Sequence, residues 1–244
     1  MTDLSDKLLS KYYSDRAHPY SLFERRVDGL LKPSDVLMDA GCGRTAPVLR
    51  KYIGRAARLI GVEVVDFVGV PAGIETYNAN LAHLPLADGS VDLIMSRSVF
   101  EHLSDPLSVY KEFARILRPG GQVIFLTANM WDYGTLVART IPNRFHARIV
   151  KYTEGREEDD TFPTEYKTNT RKTVENLATA SGLEIDYFEY LNQYPNYLMF
   201  NGALFLVGVC FERLTSRFEA LRFLRGWIMV TLRKPVADDL RPSG

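Results

Sequence analysis

Val36-Leu37-Met38-Asp39-Ala40-Gly41-Cys42-Gly43-Arg44-Thr45-Ala46-Pro47 is the stretch that decides the fold of this chain. An apolar run ends in an acid, and a Gly-x-Gly turn follows it. The run reads as a buried strand, the turn as a tight loop, and Pro47 to Tyr52 as the start of a helix. Strand, loop and helix in that order form the unit at whose carboxyl edge an α/β sheet holds nucleotide-like ligands. Gly41 and Gly43 are expected to let the backbone turn sharply and approach a ligand that a Cβ would obstruct. Asp39 stands at the strand end, where a carboxylate can face a cationic or hydroxylated ligand.

Outward from that stretch, strands and helices alternate. Leu59 to Glu63 reads as a second strand, again ending in an acid, and Ile74 to Asn80 as a third. Val91 to Ser96 reads as a fourth strand and Gln122 to Thr127 as a fifth. Between these two, Leu107, Tyr110, Phe113, Ala114 and Leu117 recur at helical spacing from about Pro106, and Arg118-Pro119-Gly120-Gly121 stops that helix. Thr170 caps a helix that runs to Ser181 and ends at Gly182, and strands follow at Leu183 to Leu191 and Trp227 to Leu232. Alternation of this kind predicts an α/β fold, a doubly wound, mostly parallel sheet with helices on both faces and right-handed crossovers.

The expected organisation is a helical cap over residues 1–34, a ligand-binding core over 35–128, a substrate-side insertion over 129–168, a C-terminal half over 169–235 and a polar tail over 236–244. The cap comprises two short amphipathic helices, 3–17 and 20–32, separated by His18-Pro19. Within the C-terminal half, an apolar and cationic helical segment occupies about 195–225. The composition of the 244 residues is that of a folded domain with a sizeable core. Formal net charge is zero, which argues against a protein-wide footprint for nucleic acid. Cys42 and Cys210 lie far apart without metal-type spacing, and no metal site is expected; the run Glu157-Glu158-Asp159-Asp160 reads as a solvated face. The first residues lack the basic-then-apolar pattern of a signal peptide, so the expected location is cytoplasmic.

Three strand ends now carry polar groups in order: Asp39 with the glycine loop, Glu63, and Asn80-Leu81. Such ends converge on the crevice at the topological switch point. Glu63 stands where a carboxylate can take both hydroxyls of a ribose. Asn80 can address an adenine edge, with Leu81 supplying an apolar face and a backbone amide. A dinucleotide is the competing ligand, since Ala46 occupies the third-glycine position that the dinucleotide fingerprint tolerates. Asp39 disfavours it, because a carboxylate there repels a pyrophosphate and attracts a cation.

The set of motifs resembles the class I S-adenosylmethionine-dependent methyltransferases, in particular the small-molecule branch typified by the ubiquinone/menaquinone-biosynthesis (type 11) enzymes. The matching pieces are Val36 to Gly43, Gly61-Val62-Glu63, Asn80 to Leu86, Val91 to Ser96 and Arg115 to Gly121. The resemblance implies a Rossmann-like seven-stranded sheet with a reversed C-terminal strand, and S-adenosyl-L-methionine as cofactor. It implies Asp39, Gly41, Cys42, Gly43, Glu63, Asn80 and Leu81 as cofactor contacts, with Ser96 and Arg97 bordering the methionine tail or the acceptor. Two departures stand out. Thr45 replaces a third alternate glycine, and Asn80 replaces the more usual Asp.

The expected function is methyl transfer to a small-molecule, lipid-linked or glycan-intermediate acceptor. The alternatives are a non-catalytic adenosine-ligand-binding protein and an NAD-type oxidoreductase. Displacement at a sulfonium carbon requires alignment in a dry pocket, and a base only where the acceptor must lose a proton. His102 is the candidate base or acceptor contact, with His146 a weaker one. Trp131, Tyr133, His146 and Tyr194 are the candidate substrate residues, because such pockets are largely aromatic. From Tyr190 to Phe211 no residue is charged, and from Phe211 to Trp227 arginines alternate with leucines and phenylalanines. That pattern suits peripheral contact with the inner face of a membrane, or a homodimer interface, through about 197–227.

Overall fold

The structure is a computed structural model. The structure describes residues 3–13, 18–140, 163–195 and 198–236. Strands β1 (Val36–Ala40), β2 (Arg58–Glu63), β3 (Glu75–Asn78), β4 (Val91–Arg97), β5 (Leu117–Ala128), β6 (Glu184–Leu191) and β7 (Trp227–Arg233) form one sheet. Their order is β3-β2-β1-β4-β5-β7-β6. β7 runs antiparallel to both β5 and β6, while the first five strands are mutually parallel, so the expected seven-stranded sheet with a reversed C-terminal strand is what the chain forms. The order reverses between β1 and β4, which puts a crevice at the carboxyl end of β1.

The sheet is buried on both faces, and alternate residues feed two cores. Val36, Met38, Ala40, Ile94, Val123 and Phe125 face a core completed by helices α3 (Pro106–Ile116) and α5 (Arg171–Ser181). Leu37, Leu93, Met95, Ile124 and Leu126 face the opposite core, which Phe23 and Val27 of α2 (Pro19–Leu30) and Leu49 and Tyr52 complete. By position Asp39 belongs with the second set, so a carboxylate closes an otherwise apolar row. The capping of α5 follows the sequence expectation: Thr170 and Thr173 form a reciprocal capping box, and Gly182 ends the helix in the left-handed region at φ 75°.

Three expectations need correction. Pro47 to Tyr52 does not form an α-helix; a short 3₁₀ turn at Leu49–Tyr52 stands there instead. The cap does not lie wholly on the sheet. Helix α2 packs on β4 and β5, whereas α1 (Asp3–Tyr13) packs on α6 (Gly202–Arg217). The arginine-bearing segment after α6 is not one continuous helix, since Phe218 ends α6 and a 3₁₀ turn at Glu219–Leu224 follows. Of the substrate-side insertion, helix α4 (Tyr133–Thr140) is described, whereas His146 and the acidic run 157–160 lie outside the described residues. Among the described residues no helix is long and apolar enough to cross a membrane.

Candidate functional site

The glycine loop is held by its own strand neighbours. The N–H groups of Gly41 and Cys42 both donate to the Val62 carbonyl, at 2.9 and 3.1 Å. The next amide, that of Gly43, donates to the Glu63 carboxylate at 2.8 Å. Three successive loop amides therefore point into the protein. A dinucleotide site needs such amides, backed by a helix N-terminus, to cradle a pyrophosphate. Here the amides are taken, the α-helix is missing, and Asp39 and Glu63 bring negative charge. The NAD-type reading loses its structural basis.

The two loop glycines have different reasons. Gly43 sits at φ 74°, where a Cβ would meet only Pro47 Cδ, at an ordinary contact distance of 3.9 Å. Gly41 sits at φ 79°, and a Cβ there would lie 2.3 Å from Val99 Cγ2. The absent side chain at Gly41 makes room for Val99, which follows β4, rather than directly for a ligand. Ala46, at the third-glycine position, is fully buried and itself adopts φ 46°.

Asp39 is 4 % exposed. Burial pushes its carboxyl up to about 7; the nearby Arg97 guanidinium opposes that rise and Glu63 adds to it. Glu63 is less buried, and its second carboxylate oxygen accepts the Val64 N–H at 2.8 Å. Asn80 is exposed, and its side-chain carbonyl accepts the Ala82 N–H at 2.9 Å, closing an Asx turn at the end of β3. Leu81 is buried in the core beneath it.

Other expected contacts are placed differently. The Cys42 thiol points inward, lying 3.0 Å from the position a Cβ on Gly61 would take, and burial pushes its pKa up. Only the backbone of Cys42 belongs to the loop surface. Ser96 is fully buried and donates to the Ala40 carbonyl at 2.7 Å, tying β4 to β1 beneath the crevice. Arg97 remains at the edge. Its guanidinium lies 4.1 Å from the centroid of the Tyr20 ring and 3.3 Å from Glu24. Tyr20 in turn shares a hydrogen bond with Ser98, so α2 is latched over the end of β4.

His102 is in a 3₁₀ turn (Phe100–His102), and its Nδ1 lies 2.9 Å from the Pro163 carbonyl. It thus joins the chain after β4 to the segment that leads into α5. The residue before it was missed from the sequence. Glu101 is 7 % exposed and its carboxylate accepts the Thr127 hydroxyl at 2.5 Å. Asn169, fully buried, donates to Thr127 Oγ1 and to the Ala128 carbonyl, and Thr168 donates to the Phe100 carbonyl. A buried polar network therefore lies at the carboxyl ends of β4 and β5. The adjacent Glu-His pair was its only sequence signal, and the side chain that turns inward in a 3₁₀ turn cannot be read from periodicity.

The aromatic candidates separate into two groups. Tyr194 meets Tyr13 and His18 edge-on or tilted, at ring centroid distances of 6.1 and 6.2 Å. His18 packs on Tyr20, and Tyr20 packs on Trp227 at the start of β7. Burial, then the charge of Arg97, lowers the pKa of His18, whose Nδ1 accepts the Tyr20 N–H. Tyr133 belongs to the second group, against Phe211 of α6, and Trp131 beside it is 48 % exposed. Among the described residues no cluster of His, Cys, Asp and Glu could hold a metal ion.

Residues 38–125 match the family model of the methyltransferase domain. A named probable S-adenosylmethionine-dependent methyltransferase of Mycolicibacterium smegmatis is 33 % identical over 128 residues, 48 % of this chain and 47 % of that protein. The 27-O-demethylrifamycin SV methyltransferase of Amycolatopsis mediterranei is 27 % identical over 111 residues, 40 % of this chain and 41 % of that protein. The geranyl diphosphate C-methyltransferase of Streptomyces coelicolor has the same fold, with a TM-score of 0.54 at 14 % identity over 96 % of this chain and 85 % of that one. The chain spans less than half the length of the first curated relatives it matches. Residues 38–125 are thus similar to the methyltransferase domain, and the curated proteins matched there include probable S-adenosylmethionine-dependent methyltransferases.

Proposed function

We propose that this protein transfers a methyl group from S-adenosyl-L-methionine to a small or lipid-linked acceptor. The observation that carries the reading is the buried carboxylate of Asp39 at the end of β1, with the Glu63 carboxylate on the neighbouring strand end. An ionised carboxylate in that setting is costly unless a cation offsets it. A sulfonium and an ammonium group supply such charge, and a pyrophosphate does not. Glu63 still has acceptor capacity beyond its two backbone amides, which suits a ribose diol. The residues present therefore fit the cofactor.

In this reading Asp39 and Glu63 hold the cofactor, the Gly41–Gly43 loop packs beside it without donating its amides, and Asn80 and Leu81 lie beneath the adenine. Arg97 contributes at the methionine end, whereas Ser96 and the Cys42 side chain support the strands. When bound, S-adenosyl-L-methionine supplies a methyl carbon already activated by its sulfonium. The chain's contribution is then orientation and the exclusion of water, worth roughly 7–11 kcal/mol at the favourable limit. Helix α2 is latched through Tyr20 to Arg97 and Ser98 at the carboxyl end of β4. His102, Trp131, Tyr133 and Tyr194 border the region where an acceptor would enter. Small-molecule acceptors in the relatives' names, rifamycin and geranyl diphosphate among them, support that class.

Calorimetry with S-adenosyl-L-methionine and S-adenosyl-L-homocysteine tests the reading. Micromolar binding that Glu63→Ala weakens is expected. Absence of binding at millimolar ligand removes the proposal. Binding without turnover on fractionated small-molecule, lipid and glycan acceptors returns the non-catalytic alternative.

A further inference from the structure

Helix α6 buries one face and leaves a second apolar face exposed. Phe205, Gly208, Val209, Glu212 and Thr215 turn inward. Leu204, Val207, Phe211 and Leu214 recur at intervals of three and four residues along another stripe, and Phe218 extends it. Val207 is 64 % exposed, Phe218 52 % and Leu214 48 %. An amphipathic helix in a globular domain normally has one apolar face, so a second one marks an interaction surface. The stripe continues across a helix boundary: Tyr133 packs edge-on against Phe211 at 5.4 Å, which brings the exposed Trp131 and Leu136 of the α4 region alongside. α4 follows β5 and α6 follows β6, so both lead away from the carboxyl edge that bears the candidate site.

Charge selects the occupant. Segment 202–225 holds Arg213, Arg217, Arg222 and Arg225 against Glu212 and Glu219, in a chain of zero net charge. Glu212 is buried and accepts the Tyr13 hydroxyl, so it presents no charge to the surface. Arg225 turns inward to the Thr215 carbonyl and to Glu219, which leaves Arg213, Arg217 and Arg222 exposed: Arg213 donates to the Tyr12 carbonyl, Arg217 lies by the Phe218 ring, and Arg222 pairs with Glu219. A two-fold contact between copies of this chain would set the same arginine-bearing patch against itself, which like charges oppose. An anionic lipid surface complements both features.

We infer that the α6 stripe, together with Trp131 and Leu136, is a docking face for an anionic membrane surface, on which α6 lies flat. The inference rests on the methyl-transfer reading in one respect: the docked face sets the mouth of the site beside the bilayer, where a lipid-linked acceptor would be presented. No helix of the described residues is suited to crossing, so contact is peripheral.

Co-sedimentation with phosphatidylglycerol/phosphatidylcholine vesicles, against pure phosphatidylcholine vesicles, tests it. The full chain is expected to sediment with the anionic vesicles. Val207→Glu/Leu214→Glu is expected to lower partition at least tenfold, and Arg217→Ala/Arg222→Ala at least fivefold, with cofactor binding by calorimetry retained in both. Circular dichroism confirms folding of each variant. The inference is overturned if cofactor-competent protein ignores anionic vesicles, or if Val207→Glu/Leu214→Glu leaves partition unchanged. A dimer in light scattering that this variant splits, with no vesicle binding, assigns the face to a second copy instead. Vesicle binding without cofactor binding overturns the methyl-transfer reading alone.

Discussion

The Glu63 carboxylate accepts the backbone N–H of Gly43 across the crevice at 2.8 Å, and its other oxygen accepts Val64 N–H. One side chain therefore fixes the glycine loop that it faces. A ribose-binding carboxylate in this position would serve two ends, ordering the loop before the ligand arrives and binding the ligand afterwards. Glu63→Ala is expected to weaken cofactor binding tenfold to a hundredfold, about 1.4–2.7 kcal/mol. Loss of two charge-assisted hydrogen bonds should also destabilise the ligand-free protein by about 1–3 kcal/mol. An unchanged melting temperature without ligand would show that the Gly43 bond does not hold the loop.

Asp39 makes the domain sensitive to pH in two opposite directions. Burial pushes its carboxyl up to about 7 in the folded protein, against 3.8 for an ordinary aspartate. The folded state thus keeps a proton that the unfolded state has released. This contribution to stability is full below the unfolded value and is lost as pH rises from about 4 through about 7, amounting to at most about 4 kcal/mol. A cationic ligand needs the ionised form, so its affinity should rise as stability falls. About tenfold tighter binding of S-adenosyl-L-methionine is expected at pH 8 than at pH 6. Asp39→Asn should flatten both profiles and raise the melting temperature of the ligand-free protein at pH 8. A pH profile of binding that persists in Asp39→Asn would assign the titration elsewhere.

Gly41 and Val99 should be coupled. A methyl group at Gly41 would meet Val99 Cγ2 at 2.3 Å in a left-handed backbone, φ 79°. Gly41→Ala is expected to cost roughly 2–5 kcal/mol, combining the conformational penalty with overpacking. Val99→Ala removes the obstruction, so the double variant should be less destabilised than the sum of the single ones. Denaturant titration of the four proteins measures this, and additive effects would mean that the left-handed conformation alone demands glycine.

What the sequence disclosed follows from the physics of each element. β1, β2, β4 and β5 are covered on both faces, so they are nearly continuous apolar runs, and α3 and α5 carry periodic apolar positions with identifiable caps. Asp39, Glu63 and Asn80 could be placed at or just past strand ends because a parallel sheet aligns those ends. The loop amides were not, since a Gly-x-Gly turn can present its N–H groups to a ligand or to the preceding strands, and the Val62 carbonyl decides the matter. Ser96 was misplaced for a similar reason: its hydroxyl stands at a strand end but turns into the sheet, toward Ala40. Arg225 shows the same limit at the surface, because composition cannot reveal that Thr215 and Glu219 draw one arginine of four inward.

The network behind the site offers a separable test. Thr127 donates to Glu101 and accepts from Asn169, at 2.5 and 3.0 Å, and all three are buried. Thr127→Val keeps the shape and removes the hydroxyl, taking a donor from the Glu101 carboxylate and an acceptor from the Asn169 amide. Buried polar groups that lose partners cost about 1–3 kcal/mol each; because the Asn169 amide keeps its bond to the Ala128 carbonyl, the lower part of the range for two groups, about 2–4 kcal/mol, is expected. For a domain of this size that corresponds to a fall of roughly 4–16 °C in melting temperature. Thr127→Ser retains the hydroxyl and loses one methyl group, which costs about 1 kcal/mol. The two variants differ in opposite ways from the native side chain: one deletes hydrogen bonding, the other packing. If thermal unfolding finds Thr127→Ser as damaging as Thr127→Val, the methyl group matters more than the network. A larger loss in Thr127→Val would establish that polar contacts hold the turn bearing Glu101 and His102 against β5, and with it one wall of the site.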